Sequence, residues 1–572
     1  MTPTTPSVSG IKVEFDVEMK TRDGVVLRAD IYRPITDEPV PAILLRTPYD
    51  KALRAAAQAY LPPSIAARHG LAYVVQDTRG RYQSEGDWEV ISPEVEFGDG
   101  YDTVEWVGTL PWCSGKVGMI GVSYDSFNQF AAAITAPPHL AAIAPNASGF
   151  AGGGYFPVAF ALGWSAFMAK DWLESRADLT PAEYDKYAAI INACMAHPER
   201  ESWHLPLTDL PLAKIPVTGD PVGTFLRRAN EGIQTGAMPF ELSQVPALLT
   251  NAYYDGGAWG SVQQFRRLRD KGAAETTRRD TKLMLGPWTH GILKGYLGEA
   301  NFGLHADQLT NPVVEHHLQF FAKHLQGRDV AELPVVRYFV LGANEWRDAD
   351  EWPPPGTIPT VLHLRSNGVL SSDPAPTGEA ADEYDYDPAK PVRALGGRQI
   401  SLSGLPMGPI DQRRLEERDD VMVYSTEALA EDLEIAGNVD VTLYVSSDAP
   451  DTDFFVRLCD VDAEGVSLNI ADSFVRMKWR NETTEPLAPL VPGEVYELSV
   501  PLGPVGCRFY RGHRVRLYVT SSFFPEYDRN MNTGNAVGAD AEGVIAHQKL
   551  HHASEYPAVL VLPVSSAAQS GG

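Results

Sequence analysis

Gly121-Val122-Ser123-Tyr124 follows the short apolar run Val117–Ile120 and precedes Phe127–Thr135, whose apolar spacing is helical. A strand that turns straight into a helix lifts the intervening serine above the sheet edge, and Gly121 permits that tight turn. A serine hydroxyl attacks carbonyls only when a base takes its proton and an acid orients the base. In hydrolases with this strand–turn–helix elbow, the partners follow the serine in the order acid, then histidine. Asp255, in Asn251-Ala-Tyr-Tyr-Asp-Gly-Gly, and His290, in Leu283-Met-Leu-Gly-Pro-Trp-Thr-His-Gly, stand in that order, each just beyond an apolar run. Asp-Gly is by itself a common turn, and a single histidine is usually structural. Three such residues at successive strand ends point to acyl transfer. The general pattern G-x-S-x-G asks for glycine where Asp125 stands, so taken alone the elbow is an incomplete match.

The elements that must position these residues can be read in outline. Val13–Lys20 and Val25–Tyr32 flank an Arg22-Asp23-Gly24 turn and suggest a hairpin, while Ala42–Leu45, Tyr73–Gln76 and Val117–Ile120 read as buried parallel strands. Helical spacing over Asp102–Leu110 alternates with them, as in a parallel sheet covered by helices. From 149 to 244 the strand signal fades, and Phe160–Leu173 and Pro181–Met195 read as helices, the second capped by Thr180. The α/β pattern returns over 245–334, with Val245–Asn251, Ser261–Lys271, Lys282–Gly286 and Pro312–Leu325. Residues 149–244 are therefore expected to be a helical cap inserted into one α/β domain built from 1–148 and 245–334. From 335 to 572, strand-like segments beginning with Val335–Leu341 predict an all-β jelly roll, with 366–420 as a long connection.

Composition excludes several classes. With 48 Lys+Arg against 74 Asp+Glu, the net charge of −26 repels phosphate backbones, so no nucleic-acid partner is expected. Cys113, Cys194, Cys459 and Cys507 are scattered without a CxxC pair, which supports neither a disulfide framework nor a cysteine zinc site. The N-terminal residues lack a secretory signal pattern, and the uncharged stretch Asn146–Ala169, broken by five glycines and Pro157, does not read as a membrane span. A cytoplasmic setting without membrane attachment is the expectation. Glu315-His316-His317 with His324 lacks metal-site spacing and reads as a helix packed on the core, so no metal is assigned. No P-loop or dinucleotide fingerprint is present, and no cofactor is expected. His551-His552 is expected to face solvent, and Asp77, Arg79 and Glu85 to form a structural ion-pair network.

Landmarks along nearly the whole chain make the sequence resemble the family of bacterial cocaine esterase, glutaryl-cephalosporin acylase, α-amino-acid ester hydrolases and X-Pro dipeptidyl-peptidases. They include Arg22-Asp-Gly-Val, Pro48-Tyr-Asp-Lys, Gln76-Asp-Thr-Arg-Gly, Pro111-Trp-Cys, Gly121-Val-Ser-Tyr, Tyr254-Asp-Gly, Gly286-Pro-Trp-Thr-His and Phe524-Pro-Glu-Tyr-Asp-Arg-Asn. The family elbow is G-x-S-Y-x-G, so Asp125 fills a free position and the departure is Ser126 in place of glycine. The resemblance implies an α/β-hydrolase core with a helical cap and a C-terminal jelly roll. It implies Ser123 as nucleophile, His290 as general base and Asp255 as its orienting acid. It also implies an oxyanion hole from the Tyr49 hydroxyl and the Tyr124 backbone N–H, and an acyl-pocket wall at Trp164. Tyr254 and Trp259, on either side of Asp255, complete the expected substrate-binding set.

Gly257 falls where the esterase carries phenylalanine, which suggests a pocket shaped for another acyl group. Gly257 and Ala258 also replace acidic residues of the amino-ester hydrolases, and Gly149–Ala169 contains no carboxylate. An ammonium-bearing substrate needs such groups to offset its desolvation. The expectation is thus a small-molecule carboxylic ester or lactone with a neutral, apolar acyl group. The rivals are an acylase or X-Pro-type peptidase using the same residues, and a carbohydrate-binding protein with a decayed core. A homodimer is a family-level expectation.

Overall fold

Strands covered on both faces must be apolar throughout, and Ala42–Leu45 and Val117–Ile120 are fully buried at the centre of the first sheet. The computed structural model describes residues 10–56, 58–149, 155–231, 238–482 and 485–565. The first sheet contains β1 (Ile11–Lys20), β2 (Val26–Pro34), β3 (Val40–Thr47), β4 (Ala72–Asp77), β5 (Cys113–Val122), β6 (Leu140–Asn146), β7 (Leu248–Tyr254) and β8 (Lys282–Thr289). After the short pair β9 (Tyr296–Leu297) and β10 (Ala300–Asn301), it is completed by β11 (Val336–Val340) and β12 (Glu345–Ala349). The order is β1-β2-β4-β3-β5-β6-β7-β8-β11-β12. The pairings from β4 to β11 are parallel, and antiparallel strands close both edges. The loops after β3, β5, β7 and β8 therefore emerge at the same carboxyl edge, where open α/β sheets place their ligands.

The sheet corrects one boundary. Val335–Leu341 was expected to open the all-β domain, but Val336–Tyr338 pairs in parallel with Leu283–Leu285. The first sheet thus extends through Ala349. A five-residue apolar run carries no mark of which sheet it joins, and that choice is made by long-range pairing.

Among the described residues, eleven α-helices complete the first part of the chain: α1 (Lys51–Ala56), α2 (Pro63–Arg68), α3 (Pro93–Thr109), α4 (Tyr124–Ile134), α5 (Val158–Glu174), α6 (Pro181–Ala196), α7 (Pro198–Glu201), α8 (Pro221–Ala229), α9 (Ala258–Lys271), α10 (Glu275–Asp280) and α11 (Val313–Gln326). From α5 to α8, helices surround a core of their own that includes Leu162, Trp172, Ile191, Leu207 and Val222. Thr180 and Glu183 form a reciprocal capping box at the start of α6. In the uncharged stretch Asn146–Ala169, residues 150–154 lie outside the described residues. Among the described residues, no helix is long and apolar enough to cross a membrane.

Beyond Thr357 the described chain is mostly β strands joined in one eleven-stranded sheet, ten along a single path and Tyr496–Phe509 paired beside it. The long strands Leu433–Ser447 and Tyr496–Phe509 pair along most of their length. Tyr496–Phe509 also packs on Ser467–Arg476 from the far end of the path, so the sheet doubles over around Val441, Phe454, Leu498 and Leu517. This layering is consistent with a β-sandwich. His552 departs from expectation: it is 1% exposed, with Nε2 placed 3.2 Å from Oδ2 of Asp382.

Candidate active site

Ser123 joins β5 to α4 with φ 65° and ψ −117°, a backbone conformation costly for a residue with a side chain. Local sterics explain Gly121. A β-carbon there would lie 2.3 Å from Cβ of Asp125, so only glycine allows α4 to fold back onto its own entry. The elbow is tied down from β6: the N–H of Ser123 donates to the carbonyl of Asn146 at 3.0 Å. Ser126, in the family's glycine position, is fully buried, and its hydroxyl lies 2.6 Å from the same carbonyl and 3.0 Å from that of Gly121. The extra hydroxyl is therefore accommodated by acceptors the turn already presents.

Asp255 follows β7 and is completely buried; Oδ1 accepts the N–H of Gly257 at 2.8 Å and Oδ2 lies 2.9 Å from Nδ1 of His290. An Nδ1 proton donated to that carboxylate would leave Nε2 as the unprotonated nitrogen of the ring. His290 follows β8, three strands along from the elbow. The neighbouring Gly291 packs on Val122, the residue before Ser123: a β-carbon at 291 would lie 3.2 Å from Cγ1 of Val122. Gly257 has a backbone explanation, since a β-carbon there would sit 2.2 Å from the carbonyl oxygen of Ser148. Its small size meets that close approach of the chain to Ser148.

Trp164 Nε1 donates to the Tyr49 hydroxyl at 3.2 Å, and the Ser123 side chain lies close enough to that hydroxyl to bear on its titration. Burial, with the nearby Asp125 charge, pushes the Tyr49 phenol up to about 12, so it remains a proton donor through the neutral range. The N–H of Tyr124 is the first in α4 and has no acceptor within the helix. The Tyr124 ring faces Tyr49 edge-on at 6.3 Å, and its hydroxyl accepts the N–H of Ile91 and donates to the carbonyl of Glu89. Trp164, on α5, meets Phe225 of α8 edge-on at 5.6 Å and lies 6.1 Å from Trp88. With Met168, Phe127 and Phe160 these rings make an apolar wall beside the elbow.

Two further expected contacts lie elsewhere. Tyr254 is 2% exposed, with its ring 6.4 Å from Phe302 and its hydroxyl donating to the carbonyl of Asn469. Trp259 is half-buried and packs on the same large core, beside Gly503. Both side chains serve the seam between the sheet and the β domain, and neither joins the aromatic cluster at Ser123. For Tyr254, adjacency to Asp255 misleads because successive residues at a strand end point to opposite faces.

Several residues of the site were not singled out from sequence. Arg54 pairs with Asp125, donates to the Val122 carbonyl at 3.2 Å, and sits 5.0 Å above the Tyr49 ring. It thus ties both sides of the elbow to the loop that carries Tyr49. Lys51 anchors the same loop: its N–H donates to Asp77 at 2.7 Å and its ammonium lies 2.8 Å from Asp16. Burial pushes the Asp77 carboxyl up to about 7. Arg79 bridges Asp99 and Asp23, whereas Glu85 is exposed and lies 4.0 Å from Arg28. Leu402, from the long connection, presses its carbonyl against Gly163 next to Trp164. His317 is buried against Val313 and Asn146, and among the described residues no group of three or more His, Cys, Asp or Glu is placed to hold a metal ion.

Residues 23–292 match the X-Pro dipeptidyl-peptidase (S15 family), and residues 328–561 match the X-Pro dipeptidyl-peptidase C-terminal non-catalytic domain. The cocaine esterase of Rhodococcus sp. (strain MB1 Bresler) is 36% identical over 96% of this chain and 98% of its own. An aminopeptidase from a marine sediment archaeon, Thaumarchaeota archaeon, superposes with TM-score 0.77 at 25% identity, covering 99% of this chain and 98% of that one. An α-amino acid ester hydrolase shares the fold, with TM-score 0.74 at 24% identity and coverage of 99% and 100%. The likeness to the esterase runs end to end through both matched domains. The chain therefore belongs to the cocaine esterase and X-Pro dipeptidyl-peptidase-like family of α/β serine hydrolases.

Proposed function

We propose that this protein hydrolyses carboxylic esters, lactones included, of neutral and largely apolar acyl groups through an acyl-enzyme on Ser123. Oγ of Ser123 attacks the carbonyl carbon as its proton passes to Nε2 of His290, and the imidazolium is held by Asp255. The carbonyl electron pair moves onto oxygen, where the Tyr49 hydroxyl and the Tyr124 N–H receive it. The intermediate collapses as His290 protonates the departing alcohol. Water then repeats the sequence on the acyl-enzyme, releasing acid and free serine.

The observation that carries this reading is the Tyr49 hydroxyl, which lies close to Ser123 and to the aromatic wall at Trp164. A carbonyl placed there has its oxygen at a donor and its acyl substituent against apolar rings. The carboxylate built into the elbow, Asp125, is paired with Arg54 and is not presented to an ammonium group. An amine-bearing substrate is the second reading, supported by the aminopeptidase likeness. Two measurements test the proposal. Ser123→Ala should abolish labelling by a fluorophosphonate probe. The wild type should show higher kcat/KM for a benzoyl or phenylacetyl ester than for its α-amino counterpart at a pH where the amine is charged. A preference for the amine would favour the second reading.

A further inference from the structure

The elbow's strained turn is held chiefly through one residue of the neighbouring strand. Asn146 ends β6 and is fully buried. Its carbonyl receives the N–H of Ser123 at 3.0 Å and lies 2.6 Å from the Ser126 hydroxyl. Its side-chain amide donates from Nδ2 to the carbonyls of Gly121, at 3.2 Å, and Ala144, at 3.0 Å. Both ends of the turn, Gly121 and Ser123, thus hang on Asn146. Those two donations also fix which way the amide points, so Oδ1 faces away from the elbow, where it meets Nε2 of His317 at 3.1 Å.

His317, on α11, is completely buried and packs edge-on against Tyr60 at 5.8 Å. Its Nδ1 lies 2.8 Å from the carbonyl of Val313, one turn earlier on the same helix. A neutral ring has one proton for these two acceptors. The Val313 carbonyl already accepts a helical N–H, whereas Oδ1 of Asn146 has His317 as its donor among the described residues. Leaving a buried carboxamide oxygen without a donor carries the larger cost. The proton is accordingly assigned to Nε2.

We infer that His317 is a positioning residue for the nucleophile: by donating from Nε2 to Asn146 it locks the amide that holds Gly121 and Ser123 in the strained turn. This rests on the reading of Ser123 as the nucleophile. A residue that only sets the placement of Oγ should influence the chemical step and leave acyl-group binding to the aromatic wall.

The test uses the full-length enzyme. Leucine at 317 removes the donor, whereas glutamine can offer an N–H near the position of Nε2. His317→Leu is expected to lower kcat by about ten- to a hundredfold while KM stays within about twofold. The rate of fluorophosphonate labelling should fall with kcat. His317→Gln should restore most of both. Full activity in a folded His317→Leu enzyme would overturn the inference, as would equal losses in the leucine and glutamine variants, because packing rather than the donor would then explain the effect. Should the leucine variant fail to fold, 15N spectra of histidine side chains in the wild-type enzyme decide: an Nε2–H tautomer at His317 supports the assignment, and an Nδ1–H tautomer overturns it. Labelling of Ser123→Ala separates the two readings, since persistent labelling there would sink the nucleophile assignment itself.

Discussion

Nε1 of Trp164 donates a hydrogen bond to the hydroxyl oxygen of Tyr49 at 3.2 Å. The indole comes from the cap and the phenol from the loop after β3, so this contact closes the cap over the elbow. It also occupies an acceptor lone pair of the phenol, and the O–H proton is free to turn toward Ser123 and a substrate carbonyl.

Charge develops on that carbonyl oxygen only as the tetrahedral intermediate forms, so the Tyr49 donor should act on the transition state. Tyr49→Phe is expected to lower kcat by about 10²–10³ with little change in KM. Trp164→Phe removes the N–H that orients the phenol and trims the aromatic wall, and should cost less in kcat because the Tyr49 donor remains. Steady-state kinetics on one aryl ester checks both, and an unchanged kcat in Tyr49→Phe would remove Tyr49 from the oxyanion hole.

Gly163 is required by a neighbour distant in sequence. A β-carbon at 163 would lie 1.9 Å from the carbonyl oxygen of Leu402, so Gly163→Ala must push the 401–403 turn off α5. Overpacking of this kind costs about 1–3 kcal/mol. The displaced turn borders Trp164, so kcat/KM for bulky acyl esters should change more than for acetyl esters. Thermal unfolding together with a series of acyl chain lengths measures both effects.

Arg54, half-buried, pairs at the elbow with the buried Asp125, which is 1% exposed. Arg54→Met leaves that carboxylate without its cation and should cost about 3–5 kcal/mol. Adding Asp125→Asn to Arg54→Met removes the stranded charge and should recover part of the loss. Denaturant unfolding of the single and double variants reads the difference. Equal stability of the two would mean that the Asp125 charge is compensated elsewhere.

Burial holds the His317 imidazole down to about 4, whereas an unfolded histidine titrates near 6.5. Between those values the unfolded chain binds the extra proton and the folded one does not, so stability falls as pH drops from 6.5 toward 4. The full effect is on the order of 3 kcal/mol. His317→Gln should flatten that part of the stability–pH curve, as followed by Tm in a buffer series. A slope identical to wild type would show that His317 titrates normally in the folded protein.

What the sequence by itself determined is what local sterics and periodicity can carry. The glycine before Ser123, the apolar run that feeds it and the helix that follows specify a strand–turn–helix elbow within some twenty residues. The Thr180 and Glu183 cap is likewise complete within four residues. Asp255 and His290 were legible as candidates because each ends an apolar run, and parallel strands expose their carboxyl ends on one edge. Tertiary structure alone decided the contacts whose partners are remote. Arg54 meets Asp125 across 71 residues, His317 meets Asn146 across 171, and Leu402 finds Gly163 from the far side of the β7–β12 region. It also decided that Val336–Val340 joins the first sheet and that Tyr254 turns to the domain seam. Periodicity says that a side chain is buried; only the packing of distant elements says against what.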